Sequence, residues 1–254
     1  MDRKSFHQET IEDAIRSDPR LLVLYLRPFA AEHRTVFARR DEYGYTFEAY
    51  LGHAFRELIG PFVALGSPED HLPPWGGAAV RTYADDEGWY EYFERLAGRA
   101  GCIIMLVSHS DNLQRELTFI RREGLQRRLF IFTAKDPIDY TRGLLSWIMS
   151  RLYGPPPAGP HREGPENWEH FAKTLGKLGF ELGDDPGRGA IVTFNSAGKA
   201  MVLVRGADTP SKFVEPIREY LVQTFGLNLD KVAVKAESPQ VVALPSESVV
   251  PTPG

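Results

Sequence analysis

The sequence predicts an α/β protein: a parallel, doubly wound sheet of the flavodoxin-like kind, followed by a small α+β domain. Short apolar runs, typical of strands covered on both faces, alternate with longer segments whose apolar residues recur at helical spacing. A proline- and glycine-rich stretch then separates this alternating region from a region of different pattern. Strands that alternate with helices form parallel sheets with helices on both faces, and such sheets bind ligands beyond the carboxyl ends of their strands.

The first domain is expected to span residues 1–153. A short polar helix around Ile11 comes first and is ended by the Asp18-Pro19 dipeptide. Buried strands are predicted at 21–26, 62–65, 102–107 and 129–132, with a short extra strand at 80–83. Helices are predicted at 47–58, 89–100, 113–122 and 138–152, because apolar residues recur there every three or four positions. The carboxyl edge of the sheet should therefore gather the segments 27–29, 66–77 and 108–116.

The second domain is expected to span residues 166–235, after a linker at 154–165 with the sequence GPPPAGPHREGP. It shows a helix at 168–178, a hairpin of two strands at 190–194 and 200–204, a helix at 210–225 and a short strand at 231–234. A unit of this size is marginally stable alone, so we expect it to pack on the first domain or on a second copy. Residues 236–254 lack periodicity and are predicted to form a disordered tail.

Charge and composition exclude several classes of function. The net charge of −4 does not indicate a nucleic-acid partner, and the basic cluster RREGLQRR at 121–128 is interpreted as a solvated helix end and loop. The single cysteine, Cys102, lies in an apolar run, and no two histidines share a ligand spacing, so no metal site is predicted. No apolar stretch approaches the ~20 residues that span a bilayer, and the N-terminus carries acids. We expect a cytoplasmic protein without membrane contact.

Three blocks of the first domain resemble the Toll/interleukin-1 receptor (TIR) superfamily, and in particular a bacterial TIR-like branch. The resemblance covers about residues 18–135 and depends on the order of the blocks. The blocks are DPRLLVLYLRPF, TFEAYLGHAFRELIGPFVALGSPEDHLPPWG and ADDEGWYEYFERLAGRAGCIIMLVSHSDNLQREL. The unit at 166–235 resembles no family that we can name.

The resemblance implies a catalytic glutamate. In TIR domains a strand that ends in serine leads through a short loop to a helix bearing a glutamate, which the enzymatic members require to cleave NAD at the nicotinamide–ribose bond. Here the serine is Ser108 and the glutamate is Glu116. Leu113, Gln114 and Arg115 precede it, where many members have an aromatic or cysteine residue. NAD is then a substrate, and no cofactor is implied.

The predicted edge also contains candidate substrate-binding residues, which are Arg27, Pro28, Phe29, Trp75 and Ser108. Arg27 suits a phosphate, and the two aromatic rings suit a flat nicotinamide or adenine. Each has a structural alternative: an internal salt bridge for Arg27, core packing for the rings, and a turn or cap for Ser108. Glu116 itself has the spacing of an exposed acid in the first turns of a helix.

Three functions are consistent with this pattern. The first is an NAD nucleosidase or cyclase that serves bacterial anti-phage immunity or related signalling, assembles as a homo-oligomer, and uses the C-terminal unit to sense, to regulate or to bind a protein partner. The second is a non-enzymatic interaction module of TIR type, with the Trp75 loop as the contact surface. The third is a nucleotide-binding or deoxyribosyltransferase-like protein of related fold.

Overall fold

The structure is a computed structural model, and it describes residues 10–26, 37–38, 44–45, 47–66, 80–83, 88–107, 111–133 and 168–229. The strands are β1 (Val23–Leu26), β2 (Phe37–Ala38), β3 (Gly44–Tyr45), β4 (Phe62–Gly66), β5 (Val80–Tyr83), β6 (Cys102–Leu106), β7 (Leu129–Phe132), β8 (Ile191–Phe194) and β9 (Ala200–Val204). The helices are α1 (Ile11–Ser17), α2 (Phe47–Leu58), α3 (Trp89–Arg99), α4 (Asp111–Arg122), α5 (Trp168–Lys177) and α6 (Pro210–Phe225), with a 3-10 turn at Gln126–Arg128.

Seven of the described strands form one mixed sheet, in the order β5-β4-β1-β6-β7-β8-β9. The first five strands of this order are parallel, whereas β8 is antiparallel to both of its neighbours. The two short strands β2 and β3 form a separate antiparallel hairpin. The protein therefore belongs to the α/β class, as the sequence predicts, and the parallel part of its sheet lies in the region where strands and helices alternate.

Helices cover both faces of the central strands, whose successive residues point to opposite sides. One face packs against α1, α3, α4 and α5, with Leu24, Ile103 and Met105 among its strand residues. The other face packs against α2 and α6, with Tyr25, Ile104 and Phe132 among its strand residues. The strands β1, β6 and β7 are buried throughout, which is why they appear in the sequence as unbroken apolar runs.

Local sequence signals fix the ends of several helices. Thr10 and Asp13 form a reciprocal capping box at the start of α1. Thr209 caps α6 through a hydrogen bond from the backbone of Lys212, and Pro210 occupies the first turn, where no backbone donor is needed. Gly226 ends the same helix in a left-handed conformation with a φ of 64°.

The strands that follow the predicted linker extend the sheet formed by the preceding strands. β8 pairs with the β7 edge, with Val192 opposite Ile131. α6 then lies beside α2 on one face, where the rings of Phe213 and Phe132 are 5.6 Å apart. The Tyr50 hydroxyl donates to the Asp208 carbonyl at 2.7 Å across the same junction. Packing on the preceding elements is one of the two arrangements that the sequence led us to expect for these residues.

The basic cluster at 121–128 contributes to this junction, so its interpretation as a purely solvated segment is incomplete. Arg121 donates to the Ala197 carbonyl at 3.0 Å, and the Gln126 amide donates to the Ser196 carbonyl at 2.7 Å. The guanidinium of Arg127 lies 5.2 Å from the centre of the Phe225 ring. These contacts hold the hairpin of β8 and β9, and the end of α6, against the β6–β7 connection.

The described elements agree closely with the sequence predictions, including the short strand β5 and the hairpin turn, where Asn195 accepts hydrogen bonds from the backbones of Ala197 and Lys199. Trp89 is buried in the core, as its helical spacing predicts. The predicted helix at 138–152, the linker at 154–165, the strand at 231–234 and the tail lie outside the described residues. The division into two domains at the linker therefore stays a prediction. No described helix combines the length and the apolarity that crossing a membrane requires.

Candidate active site

The parallel part of the sheet has a point between β1 and β6 where its strand order reverses, which we call the switch point. From β1 the chain proceeds through α2 to β4 on one side, whereas from β6 it proceeds through α4 to β7 on the other side. These two helices pack on opposite faces of the sheet. In sheets of this kind the usual ligand position lies between such diverging connections, at the carboxyl ends of the two central strands.

Glu116 lies in α4, less than two turns after the helix begins, or about 7 Å along its axis. Its neighbours on the inward stripe are Leu113, Leu117 and Ile120, all buried in the core. Glu116 shares this stripe and is only 4% exposed, contrary to the alternative of an exposed acid. The helical register therefore turns this carboxyl inward, on the half of α4 nearest the carboxyl edge of the sheet.

Burial raises the pKa of the Glu116 carboxyl from 4.5 to about 8. Removing the carboxylate from water penalises its charged form, and no residue in the described ranges donates a hydrogen bond to it or forms an ion pair with it. A buried carboxyl without a partner costs folding free energy, and such groups concentrate at functional sites.

The neighbouring cation does not neutralise Glu116. The guanidinium of Arg115 lies 4.5 Å from the centre of the Tyr90 ring and 6.0 Å from that of Trp89. Arg115 is exposed and pairs with these rings of α3 by cation–π attraction. Arg115, the last residue of the Leu113-Gln114-Arg115 sequence, therefore joins α4 to α3. Because its guanidinium lies on these rings, it does not pair with the buried carboxyl of Glu116 on the same helix turn.

Glu48 is the second buried carboxylic acid among the described residues, at 3% exposure, and sequence reasoning missed it. It lies in the first turn of α2, on the far side of the sheet from α4. The sequence contains a signal for this burial. Glu48 precedes Leu51 by three residues and Phe55 by seven, which places it on the buried stripe of the helix. Glu57, on the same helix, is exposed.

The other predicted site residues, Arg27, Pro28, Phe29, Trp75 and Ser108, lie outside the described residues, so their role stays a prediction. By sequence, Arg27 directly follows β1 and Ser108 comes two residues after the end of β6. The described ranges contain no group of three histidine, cysteine, aspartate or glutamate side chains that could hold a metal ion.

A cavity of about 320 Å³ lies at the opposite, amino edge of the sheet, lined by Ile15, Pro19, Arg20, Leu21, Leu22, Arg99, Leu227, Asn228 and Leu229. Its two arginines have partners. Arg20 pairs with Asp18 at 2.7 Å and donates to the carbonyls of Arg56 and Glu57, and Arg99 pairs with Glu12 at 3.2 Å. These contacts are those of a structural junction, so the candidate site remains the carboxyl edge of the sheet, where Glu116 lies.

Comparison with known proteins gives no relative: no family model, no curated protein and no solved structure matches the chain. The arrangement of Glu116 can nevertheless be assigned a chemistry. A desolvated carboxyl can act as a general acid or base near neutral pH, or can stabilise positive charge that develops on a substrate.

Proposed function

We propose that this chain is a TIR-like enzyme that cleaves the nicotinamide–ribose bond of NAD, with Glu116 as its catalytic carboxylate. The observation that carries the proposal is the burial of Glu116, without a described partner, on the helix that leaves the switch point of the sheet. The strand order supports the proposal too. Without the edge strand β5, the parallel strands follow the flavodoxin-like order, with β1 between β4 and β6 and β7 next. We therefore propose that the parallel part of the sheet is doubly wound, with connections on both of its faces.

The proposed chemistry needs one carboxylate. When the bond between C1′ of the ribose and the ring nitrogen breaks, its electron pair stays on nicotinamide, and positive charge develops on the ribose. A carboxylate beside C1′ stabilises this oxocarbenium-like state. Water then adds to C1′ and loses a proton, or a nitrogen of the adenine ring adds and the product is cyclic. Nicotinamide leaves as a neutral molecule, so a second group to protonate it is not needed.

The raised pKa of Glu116 is compatible with this role. At neutral pH the free protein holds most of this carboxyl protonated, because its pKa is about 8. The cationic nicotinamide ring of bound NAD would favour the carboxylate form, since a nearby opposite charge lowers the pKa of an acid. Substrate binding and ionisation of Glu116 would then support each other, and kcat/KM should rise with pH up to about 8.

The biological setting belongs to the same proposal. The chain would act as an effector in bacterial anti-phage immunity or related signalling, and its site would become active on assembly of several copies. The unit that contributes β8, β9 and α6 would sense the trigger, bind a protein partner or mediate that assembly.

The decisive experiment measures nicotinamide release from NAD by the full-length chain, at low and at high protein concentration. Glu116→Gln keeps the shape of the side chain and is expected to lower the rate at least about 100-fold. Glu123→Gln is the matched control, because Glu123 is exposed just beyond the same helix and pairs only with Arg122 among the described residues. Unchanged release by Glu116→Gln would contradict the proposal. A wild-type chain that neither binds nor cleaves NAD at any concentration would favour the non-enzymatic interaction module.

A further inference from the structure

The outer edge of β9 is an exposed apolar edge. β9 ends the described strand order, and its five residues, AMVLV, include no charge, glycine or proline. Met201 and Val202, at 37% and 39% exposure, are the two exposed large apolar side chains among the described residues. Successive residues of a strand point to opposite faces, so apolar surface is exposed on both sides of this edge. A bare edge of this kind pairs readily with another extended segment.

The backbone of β9 has bonding groups for such a segment. Ala200 donates to the Glu181 carbonyl at 2.8 Å, outside the ladder with β8, so Glu181 covers the start of the edge. Backbone groups of alternate residues point to the same side of a strand, so those of Val202 point outward as well. Outside the β8–β9 ladder, Val202 makes no backbone hydrogen bond to a described residue. An added strand would find a donor and an acceptor there.

The two ends of the edge are cationic. Lys199 and Arg205 flank β9 and are exposed. Neither forms an ion pair with a described residue, although Arg205 donates to the Pro186 carbonyl. A second copy of this edge is therefore a poor partner. Pairing about a twofold axis through Val202 would set Lys199 of one copy opposite Arg205 of the other, and like charges directly opposite are destabilising. The edge suits an uncharged extended segment with acids at both ends.

One run in the predicted tail has that composition. Residues 241–244, VVAL, are apolar and begin with two valines, which favour strands. Glu237 and Glu247 flank this run. An earlier apolar run, at 232–234, has a lysine on each side, so the cations of the edge repel it. Charge therefore favours the run at 241–244 as the occupant of the edge.

The length of the chain permits this contact. Leu229 lies beside Leu21 and Leu22, at the amino end of β1. A strand added beyond β9 would lie five strand spacings from β1, or about 24 Å. Residues 230–240 span about 36 Å when extended, so the run at 241–244 reaches the edge within one chain.

We propose that residues 241–244 of the same chain pair with the outer edge of β9 as an additional edge strand. Glu237 and Glu247 then lie near the cations at its two ends, and Val202 gains backbone partners. Tethering raises the local concentration of this run, so it competes well with other chains for the edge. The contact closes the apolar edge to a second copy, and it is independent of the proposed cleavage of NAD.

The test measures hydrogen–deuterium exchange of the Val202 amide by NMR in the full-length chain. In wild type this amide should exchange at least about 10-fold more slowly than in Val241→Pro/Val242→Pro, because proline lacks a backbone donor and disrupts strand pairing. Val249→Pro/Val250→Pro is the matched control, because it changes a neighbouring valine pair outside the run, and it should keep the wild-type rate. Thermal unfolding of each variant verifies folding.

A second variant tests the charges. Glu237→Lys/Glu247→Lys places like charges near both ends of β9 and leaves the apolar run unchanged. Exchange of the Val202 amide should then be faster than in wild type, because the cations of the run and the edge repel each other. An unchanged rate would contradict the pairing of these acids with the edge.

The other outcomes are equally decisive. Equal exchange in wild type and in Val241→Pro/Val242→Pro would overturn the proposal. Protection of the Val202 amide that survives these substitutions and rises with protein concentration would assign the edge to a second copy instead. Loss of protection in Val249→Pro/Val250→Pro as well would show that pairing by residues 241–244 is not its source.

Discussion

Ionisation of the buried Glu116 carboxyl costs folding free energy. In the unfolded chain the carboxyl ionises near 4.5, whereas burial raises its pKa in the folded protein to about 8. Between these two values the folded state binds a proton that the unfolded state does not, so stability falls as pH rises through this window. The contribution is fully present below pH 4.5 and is lost by about pH 8.

This linkage gives a prediction that is independent of substrate. The free energy of unfolding of the wild-type chain should decrease between pH 5 and pH 8.5, with a contribution from Glu116 on the order of 4 kcal/mol. Glu116→Gln has no proton to lose, so the variant should show a flatter profile and be more stable than wild type at pH 8.5. Urea denaturation at several pH values measures this, with Glu123→Gln as a control that follows wild type. Parallel profiles for wild type and Glu116→Gln would contradict the burial of this carboxyl.

At the residue scale the sequence identifies Glu116 only through the resemblance to TIR domains. Spacing alone left an exposed helix acid as the alternative, because burial depends on which face of α4 meets the sheet. Glu48 could have been found from its position on the stripe with Leu51 and Phe55, but acids in a first helix turn are common at the surface. The burial of both side chains depends on tertiary placement, which local pattern does not encode.

At the scale of the elements, the start of β8 requires a glycine. Gly189 has a φ of 62°, and a Cβ atom there would lie 2.4 Å from the Ala207 carbonyl oxygen. The backbone of Ala207 donates to the Gly189 carbonyl at 2.8 Å, so the two segments cannot separate without losing this hydrogen bond. The close approach extends the pairing of β8 with β9 toward α6.

Gly189→Ala should therefore destabilise the protein more than a change at an open glycine. Gly124 is the matched control, because its φ is 68° and a Cβ atom there would meet no atom within 4 Å. Gly124→Ala should cost about 1–2 kcal/mol from backbone strain, and Gly189→Ala about 1–3 kcal/mol more from the clash. Denaturant titration of both variants measures the difference. An equal loss of stability in both would show that the Gly189 contact relaxes freely.

The strands and helices themselves were predictable because burial on both faces produces unbroken apolar runs, as in β6 and β7, and burial on one face produces the helical stripes of α2 and α4. The pairing of β8 with β7 was not predictable. An apolar run shows that a strand is covered but does not show which strand lies beside it.

At the scale of the whole molecule, the shared sheet makes the two regions of the chain depend on each other. Removal of residues 166–254 would leave β7 as an exposed edge strand composed of Leu129, Phe130, Ile131 and Phe132. It would also uncover the face on which Phe213 and Tyr220 pack against Phe132 and Phe130. Exposed apolar edges of this kind pair with other chains.

The chain truncated after residue 165 should therefore aggregate or lose its native near-UV circular dichroism, whereas the full chain should unfold in one cooperative calorimetric transition. Size-exclusion chromatography of both proteins measures aggregation, and calorimetry measures the unfolding transition. A truncated chain that stays monomeric and unfolds at the temperature of the full chain would mean that β8, β9 and α6 are dispensable for the first five strands. The linker sequence predicted a domain boundary at this position, because proline-rich segments commonly separate domains.

NAD cleavage by this chain requires that Glu116 face a bound nucleotide. The most direct measurement follows the carboxyl ¹³C resonance of Glu116, assigned through Glu116→Gln, as a function of pH in the free protein and with a carbocyclic NAD analogue whose glycosidic bond cannot break. We predict a pKa of about 8 in the free protein, and a lower pKa when the cationic nicotinamide ring is bound. ADP-ribose lacks that ring and should lower it less. A resonance that titrates near 4.5 in the free protein, or a pKa that the bound analogue leaves unchanged, would contradict the proposed position of Glu116 beside the nicotinamide ring.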